Sequence, residues 1–438
     1  MKVMVIGSGG REHALAYRLA QSEKVTDVYV AFGNAGIDLE SDEKIKRLRI
    51  YEYDHESLCN NAINMQVDLT VVGPEVPLSE GIVDYFEAKG LNIFGPSKLA
   101  SQLESSKSFC KDFLKKYNIP TAEYETFEDE SAAVEYVKNQ GVPIVIKADG
   151  LAAGKGVVVA ETEEDALDAI SDMLSGNKFG EAGHKVVIEE FLQGEEASYI
   201  VLCDGENVLP LATSQDHKRV YNGDKGPNTG GMGAYSPAPV VTADIDSKIM
   251  NDVILPTMKG MASEGMPYKG FLYAGLMIDS DGNPKVIEYN CRCGDPETQP
   301  IMLRMQSDLT ELCLAACNGQ LDQHTIAFDP RPAVGVVLAS GGYPHNYGDG
   351  KEITGLDEVD ETYTKVFHAG TLLQDDKLVT KGGRVLCVTS LGDTVAEAQK
   401  RAYEEVAKIS WHRMYCRTDI GYRAIIRERA RESAREKE

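Results

Sequence analysis

The chain has 438 residues, 42% of them hydrophobic, with 45 basic and 69 acidic side chains and a formal net charge of −24. This acidic balance disfavours a nucleic-acid or membrane-surface role, and no apolar stretch approaches the roughly 20 residues of a membrane span. Nine cysteines without framework spacing, and no signal peptide, predict reduced thiols and a cytoplasmic protein. The length predicts about three domains.

The first hundred residues alternate apolar strands with a helical pattern, with strands predicted at 2–6, 25–31, 68–72 and 92–94 and a helix at 11–21. Strands that alternate with helices indicate a doubly wound parallel sheet. In such a sheet the functional loops follow the C-terminal ends of the strands. Glycine or proline turns follow the first, third and fourth predicted strands.

Three glycines, Gly7, Gly9 and Gly10, lie between the first strand and the first helix. This arrangement is typical of a loop that binds phosphate through free backbone N–H groups. A nicotinamide dinucleotide fold carries a similar loop, but it needs an acid at the end of the second strand. That strand runs through Tyr29 to Asn34 without an acid. A tight turn that needs glycine only for packing is the other alternative.

After residue 101 the pattern changes to mixed helices and strands. The sequence predicts one amphipathic helix at 101–117, a helix near 163–174, and strands near 143–149, 155–160, 185–190, 197–213, 271–279 and 284–290. The Gly-rich stretch at 222–233 has no regular period. Residues 329–332 read as a linker into a last domain of strands and one helix. The alternating charges of 427–438 predict a solvated helix or a frayed tail.

Lys147 ends a buried-looking strand, where a lysine costs desolvation energy unless an anion partners it. A phosphate is the natural partner. The next segment, from Gly150 to Gly156, is a glycine-rich flap in which Lys155 can reach over phosphates. A β-hairpin with surface lysines is the alternative for this flap. Lys107, taken by itself, reads as an ordinary surface lysine.

A possible nucleotide hinge follows the strand near 185–190, at Glu189, Glu190, Phe191 and Leu192. Backbone groups of such hinges commonly hold adenine between apolar walls. Of the two acids that come next, Glu196 is favoured for the ribose hydroxyls. Simple solvation of a charged loop is the alternative.

Glu288 and Asn290 lie two residues apart on a predicted strand, so their side chains share one face. One carboxylate and one amide oxygen, beside nucleotide phosphates, suit Mg²⁺. A polar strand face in water is disfavoured because Val286 and Ile287 look buried. These residues predict a site for ATP with Mg²⁺, or with Mn²⁺ as the alternative ion.

Together these motifs resemble the phosphoribosylamine–glycine ligase family, also called glycinamide ribonucleotide synthetases, of the ATP-grasp superfamily. The resemblance runs in order from residue 1 to about residue 425. It rests on the segments beginning Gly7-Ser-Gly-Gly-Arg-Glu-His, Gly73-Pro-Glu, Gly95-Pro-Ser, Ser106-Lys, Lys147-Ala-Asp-Gly-Leu-Ala-Ala-Gly-Lys-Gly, Asp216-His-Lys-Arg, Gly226-Pro-Asn-Thr-Gly-Gly and Arg292-Cys-Gly-Asp-Pro-Glu. One departure is Cys293, which replaces the family's usual Phe and is expected to pack rather than react.

The resemblance implies a multidomain fold of α/β and α+β type. It implies an N-terminal Rossmann-like substrate domain at 1–101, a doubly wound parallel sheet. An ATP-grasp domain at 102–328 follows, with a small mobile lid subdomain at about 122–190. A C-terminal mixed α/β domain at 329–425 and a charged tail at 426–438 complete the chain.

The resemblance also implies a reaction. ATP, glycine and 5-phosphoribosylamine give glycinamide ribonucleotide, ADP and phosphate through glycyl phosphate, a step of de novo purine synthesis. It assigns catalysis to Lys147, Arg292 and Asp295. It assigns ATP binding to Lys107, Lys147, Lys155, Glu189, Glu190, Phe191, Leu192 and Glu196, metal binding to Glu288 and Asn290, and substrate binding to Gly9, Gly10, Asp216, Arg292, Asp295 and Glu297.

Some of these roles have open alternatives. Arg292 is expected to grip the glycine carboxylate, with a structural ion pair to Asp295 or Glu297 as the alternative. The basic run at 217–219 is expected on a solvated face, with phosphate contact as the second interpretation. A second metal ion is in doubt because the strand around Leu276 carries no acid.

Other functions compete with the ligase. The nearest is another ATP-grasp carboxylate–amine ligase or a carboxylase, and a non-catalytic nucleotide-binding module is a different class. A dehydrogenase is opposed by the missing acid after the second strand. The expected partners are small molecules only, without nucleic acid or membrane, and the expected assembly is a monomer or a weak homodimer.

Overall fold

The computed structural model describes residues 1–151, 156–175 and 184–435. The first hundred residues form β1 (Lys2–Gly7), α1 (Gly10–Ala20), β2 (Asp27–Phe32), α2 (Ala35–Asp38), β3 (Ile45–Leu48), α3 (His55–Asn64), β4 (Leu69–Val72), α4 (Glu75–Glu80), α5 (Ile82–Glu87) and β5 (Ile93–Phe94). The strands pair in parallel in the order β3-β2-β1-β4-β5, which confirms the predicted sheet. The order reverses between β1 and β4, so the loops after these strands share the crevice where such sheets bind ligands.

The helix predicted at 101–117 is two helices, α6 (Gln102–Ser105) and α7 (Lys107–Lys116). Ser106 separates them because its backbone is extended, with φ −136° and ψ 110°. Its hydroxyl accepts the N–H of Phe109 at 3.2 Å, a typical serine cap of a helix N-terminus. The single-helix prediction was wrong here, and the break places Lys107 at the start of α7.

A four-stranded antiparallel sheet follows, built from β6 (Tyr124–Phe127), β7 (Ile144–Ala148), β8 (Val157–Ala160) and β9 (Val186–Glu190), with α8 (Glu130–Gln140) and α9 (Glu163–Leu174). The strand order is β6-β9-β7-β8. The apolar side chains of this sheet and its two helices form a core cluster of their own, which includes Ile146, Ile170 and Ile188. Lys155 and most of the predicted flap at 150–156 lie outside the described residues.

The next region contains β10 (Glu195–Asp204), β11 (Val208–Pro210), β12 (Gln215–Asp216), β13 (Arg219–Tyr221), β14 (Lys225–Asn228), β15 (Gly233–Ser236), α10 (Ala243–Ile249), a π-helical segment (Met250–Ile254), α11 (Leu255–Ser263), β16 (Lys269–Ile278) and β17 (Pro284–Asn290). The sheet β11-β10-β16-β17 is antiparallel. The stretch at 222–233, for which no regular structure was predicted, contributes β14 to a hairpin with β13.

The remaining elements are α12 (Thr298–Arg304), α13 (Leu309–Cys317), β18 (Ala333–Ala339), β19 (Thr364–His368), β20 (Thr371–Gln374), β21 (Lys377–Thr380), β22 (Arg384–Leu391), α14 (Val395–Val406) and α15 (Tyr422–Arg435). Five strands form another antiparallel sheet in the order β12-β15-β18-β22-β19. Among the described residues, no helix combines the length and the apolar composition that a membrane crossing requires.

Helix α12 lies where the regions meet. Its Ile301 belongs to one core cluster with Val5 of β1, Phe271 of β16 and Val337 of β18. The segment 292–297 leads directly into α12, so the predicted Arg292–Glu297 motif is fixed between the N-terminal, central and C-terminal sheets.

Candidate active site

The metal-ligand pair lies on β17, beside a shift in strand register. Gly275 pairs with Glu288 and Leu276 pairs with Val286, so Ile287 has no partner opposite. Such bulges often redirect a side chain next to an active site. Asn290 Nδ2 is 3.5 Å from Glu288 Oε1, so the two side chains share one face as predicted.

The environment of Glu288 is cationic. Burial raises the pKa of this carboxyl, but the charges of Lys218, Lys147, Lys107 and Arg292 outweigh burial and lower it. Lys107, Lys147 and Arg292, which were predicted site residues, therefore converge around one carboxylate together with Lys218, which was not. Among the described residues, no group of three or more His, Cys, Asp or Glu side chains has the arrangement of a metal site.

Lys147 is buried and has a carboxylate partner within the protein. Its Nζ lies 3.0 Å from Glu189 Oε2 and donates to the carbonyl of the bulged Ile287 at 3.2 Å. Lys111 Nζ lies 3.5 Å from the same Glu189 oxygen and donates to Thr121 Oγ1 at 2.7 Å. Glu189 thus offsets the predicted desolvation cost of burying Lys147 without any phosphate.

Glu189 is a side chain of the buried sheet rather than of an exposed hinge. It is 4% exposed, and among the described residues no donor reaches its Oε1. Glu190 and Phe191, which follow it, are exposed, and Leu192 is partly buried. The predicted hinge therefore begins at Glu190, and Glu189 sits behind it against Lys147.

Lys107 is not the surface lysine that its local sequence suggests. Its Nζ donates to the Gly150 carbonyl at 2.9 Å, at the start of the predicted flap. Burial lowers the pKa of Lys107, Glu288 opposes that effect, and the charge of Lys147 adds to it. Two lysines thus face Glu288 from α7 and β7.

Arg292 has different partners from those considered in the sequence. Its Nη2 lies 2.9 Å from Glu104 Oε1 and its Nε 3.2 Å from Glu75 Oε2, so the alternative of a pair with Asp295 or Glu297 was wrong. Burial raises the pKa of Glu104 to about 7, although Arg292 lies beside it. Neither glutamate was assigned a role from sequence, although Glu75 stands in the Gly73-Pro-Glu turn.

Asp295 lies among cations from two regions. Burial raises its pKa, but Arg384 and Arg11 outweigh burial and lower it. Arg384, at the start of β22, donates to the Asp295 carbonyl at 2.7 Å and to the Gly230 carbonyl at 2.8 Å. Gln299 Nε2 donates to Asp295 Oδ1 at 2.8 Å. Arg384 was not predicted as a site residue, because its only signal in the sequence is its place after two glycines at 382–383.

A second acidic group lies near Lys218. Glu297 is buried, and its Oε1 accepts from Tyr273 at 3.0 Å and from Ser198 at 3.2 Å. Burial and the charge of Glu297 raise the pKa of Asp216 well above its usual range. Lys218 Nζ lies 2.8 Å from Glu196 Oε2 and its side chain is partly exposed, whereas His217 is buried, so the expectation of a solvated face is wrong for His217.

The glycine loop holds a side chain of its own helix. The Gly9 N–H donates to Glu12 Oε2 at 2.7 Å, and Arg11 Nε contacts Glu12 Oε1 at 2.5 Å. A Cβ atom on Gly10 would lie 2.6 Å from Gln299 Nε2, so glycine permits the close approach of α12. The packing alternative thus accounts for part of this loop, and its phosphate role stays a prediction.

Comparisons with known proteins agree along the whole chain. Residues 1–104, 105–298 and 333–423 match the N, ATP-grasp (A) and C domains of the phosphoribosylglycinamide synthetase family. The chain is 63% identical over 429 residues to the phosphoribosylamine–glycine ligase of Escherichia coli O157:H7, which covers 98% of this chain and 100% of that protein. The enzyme of the same name from Vibrio cholerae is 61% identical over 431 residues, again covering 98% and 100%.

Solved structures give the same result. The crystal structure of phosphoribosylamine–glycine ligase from Thermotoga maritima superposes with a TM-score of 0.83 at 36% identity, covering 96% of this chain and 100% of that one. The biotin carboxylase of Campylobacter jejuni has a TM-score of 0.71 at 16% identity, covering 94% and 92%, which shows a shared fold alone. The chain therefore belongs to the phosphoribosylamine–glycine ligase family and is an ATP-dependent ligase with the ATP-grasp fold.

Proposed function

We propose that this chain ligates glycine to 5-phosphoribosylamine, giving glycinamide ribonucleotide, ADP and phosphate in de novo purine synthesis. The observation that carries the proposal is the convergence of Lys107, Lys147, Lys218 and Arg292 on Glu288, whose pKa they lower against the effect of burial. Clustered cations beside a carboxylate suit a triphosphate and its metal ion. The names of the full-length relatives supply the two other substrates.

ATP would lie between the lid sheet and the sheet that contains β17. Lys107 and Lys147 would face its phosphates, and Lys155 would reach them from the flap. The buried Glu189 Oε1 has no donor among the described residues, which suits a donor group of the ligand. The backbone from Glu190 to Leu192 would flank adenine, and Glu196 would accept the ribose hydroxyls.

Glu288 and Asn290 would hold Mg²⁺, or Mn²⁺ as the alternative ion. The fit rests on their chemistry: one carboxylate and one amide lie side by side on a buried strand, close enough for a 3.5 Å contact. Bound there, the ion would neutralise charge on phosphoryl oxygens. Lys107 and Lys147 supply the fixed positive charge of the protein itself.

The substrate roles follow the charges of the site. Arg292 remains the proposed partner of the glycine carboxylate, in competition with Glu75 and Glu104. The acids Asp216 and Glu297 suit an ammonium group, since a nearby positive charge stabilises two neighbouring carboxylates of which Glu297 is buried and Asp216 partly buried. Asp295 would orient the amine of phosphoribosylamine. Gly9 and Gly10 would support its 5-phosphate, which must then compete with Glu12 for the Gly9 N–H.

The chemistry proceeds in two displacements. The glycine carboxylate attacks the γ-phosphorus and ADP leaves, which turns a poor acyl donor into glycyl phosphate. The amine of phosphoribosylamine then attacks the acyl carbon, phosphate leaves, and the nitrogen gives up a proton. Both steps need mainly positioning, charge neutralisation and exclusion of water. The segment 150–156 is the proposed lid, and its residues 152–155 lie outside the described ones.

The test is ADP release with freshly prepared 5-phosphoribosylamine, with and without glycine. We expect release only when both substrates are present, with glycinamide ribonucleotide formed in equal amount. Alanine or bicarbonate in place of glycine tests the other ligase and the carboxylase. ATP binding without any substrate-dependent ADP release would support the non-catalytic alternative and contradict the proposal.

A cytoplasmic location and a monomer or weak homodimer complete the proposal. The location rests on the nine cysteines, which are free thiols in the structure and fit a reducing compartment. Sedimentation at several protein concentrations measures the assembly directly, and a stable higher oligomer would contradict it.

A further inference from the structure

The last helix makes a specific contact that its sequence does not suggest. Arg427 on α15 binds Glu195 through two parallel contacts, Nη1 to Oε1 at 2.7 Å and Nη2 to Oε2 at 2.6 Å. Such a two-pronged pair fixes the orientation of both groups. Arg427 lies in the segment predicted as a solvated helix or frayed tail, and beyond residue 423, where the match to the family's C domain ends.

The helix that carries Arg427 is itself anchored. Glu428, the next residue, accepts the N–H groups of Val395 and Ala396 at 2.7 and 3.2 Å, at the start of α14. Carboxylates are favoured at a helix N-terminus because they bind its free N–H groups. Arg427 therefore acts from a fixed support.

Glu195 is connected to the proposed ribose site through Glu196. Gln215 Nε2 donates both to Glu195 Oε1, at 2.8 Å, and to the Glu196 carbonyl, at 2.9 Å. Gln215 is in turn held by the buried Tyr235, whose hydroxyl donates to Gln215 Oε1 at 2.8 Å. Neighbouring side chains of a strand face opposite ways, so Glu195 turns towards α15 while Glu196 turns to Lys218.

The other member of that pair, Lys218, is held in a similar way. His217, the residue before it, accepts the Gly421 N–H through Nε2 at 3.0 Å, at the start of α15. Asp224, in the hairpin after Lys218, binds the fully buried Arg417 at 2.9 Å and the Tyr422 hydroxyl at 2.6 Å. The C-terminal segment thus contacts Glu195 and His217, the residues that directly precede Glu196 and Lys218.

We propose that Arg427 is a positioning residue for nucleotide binding: through Glu195 it sets the place of Glu196, and so the recognition of the ATP ribose. The inference rests on the proposed function, in which Glu196 accepts the ribose hydroxyls. Removal of the Arg427 side chain frees the start of β10 but changes no side chain that is proposed to contact the ATP phosphates.

The experiment compares Arg427→Ala with Arg431→Ala, an exposed arginine one turn later on α15 that removes the same charge. We expect Arg427→Ala to raise the KM for ATP about tenfold, the typical effect of losing a charged hydrogen bond, with kcat and the KM for glycine nearly unchanged. We also expect it to lose the preference for ATP over 2′-deoxy-ATP. Arg431→Ala should match the parent chain in all of these.

The charge-reversed pair Arg427→Glu with Glu195→Arg should restore much of the ATP affinity and the ribose preference. An unfolded fraction lowers apparent kcat and leaves KM alone, so destabilisation does not imitate the expected result. An unchanged KM for ATP and an unchanged ATP to 2′-deoxy-ATP ratio in Arg427→Ala would overturn the inference. Failure of the proposed function is distinct, because the parent chain would then release no ADP in response to glycine.

Discussion

We expect two separable roles for Lys147, one in folding and one in turnover. The variant Lys147→Met keeps most of the side-chain volume but leaves Glu189, which is 4% exposed, with only Lys111 at 3.5 Å. Removing one partner of a buried pair typically costs about 3–5 kcal/mol. Losing one fixed stabiliser of the transition state lowers turnover by about 10²–10³. We expect both effects in this variant.

The double variant Lys147→Met with Glu189→Gln separates them. Replacing a whole buried ion pair is often close to neutral for stability. Lys111 also contacts Glu189 and is left here with neutral acceptors such as Thr121 Oγ1, so only part of the lost free energy of unfolding should return. Turnover should not return, because the charge that faces the phosphates is still missing. Lys185→Met is the matched control, since its ion pair with Glu128 is exposed and contributes little to stability.

The measurements are urea unfolding and ADP release under saturating substrates. Near-normal turnover in the double variant would contradict a role of Lys147 in turnover, because Lys147 would then serve only as the partner of Glu189. A stability loss below that of Lys185→Met in the single variant would show that the buried pair contributes nothing.

Three further predictions concern single carboxylates. Glu288→Gln should raise the half-saturating Mg²⁺ concentration in the ADP-release assay by roughly tenfold or more, because a charged ligand is lost, and an unchanged Mg²⁺ titration would contradict the metal site. Contacts with His13 and Lys365 outweigh burial and lower the pKa of Glu40 from 4.5 to about 2. Glu40 therefore contributes about 3 kcal/mol to the free energy of unfolding above pH 4.5, and this contribution is lost as the pH falls towards 2. Urea unfolding of Glu40→Gln should show that loss at pH 7 and little difference from the parent chain near pH 2. Burial raises the pKa of Glu104 to about 7, so the parent chain should lose stability as the pH rises from 4.5 through 7. Glu104→Gln should remove this pH dependence of the free energy of unfolding. An equal pH dependence in both chains would show that another group causes it.

Local sequence patterns predicted the elements better than the contacts between them. The strand period placed Glu288 and Asn290 on one face, and the β1–α1 glycine loop stands at the sheet edge where it was expected. The break at Ser106 was missed because both flanking segments are helical and only the serine cap separates them. Strand β3 was missed because Lys46 and Arg47 dilute its apolar character.

The partners of the site residues could not be predicted because they come from distant parts of the chain. Glu75 lies 217 positions before Arg292, and Arg384 lies 89 after Asp295. Periodicity gives the face of an element, but not which other element covers that face. The C-terminal helix is the clearest example: its alternating charges read as solvated, yet Arg427 meets Glu195 across 232 positions.

The ion pairs of the site differ in how readily a substrate can replace them. The side chains of Lys147 and Glu189 are 5% and 4% exposed. Separating them would leave two unpaired charges in surroundings that screen charge poorly. Lys218 and Glu196 are 30% and 44% exposed, and water can replace either partner at little cost. A phosphate or carboxylate that enters the site therefore competes easily for Lys218, while Lys147 stays where Glu189 and the Ile287 carbonyl hold it. In the proposed function, Lys147 would be the fixed charge that orients the nucleotide, and Lys218 would be the cation that exchanges its partner when Glu196 binds the ribose.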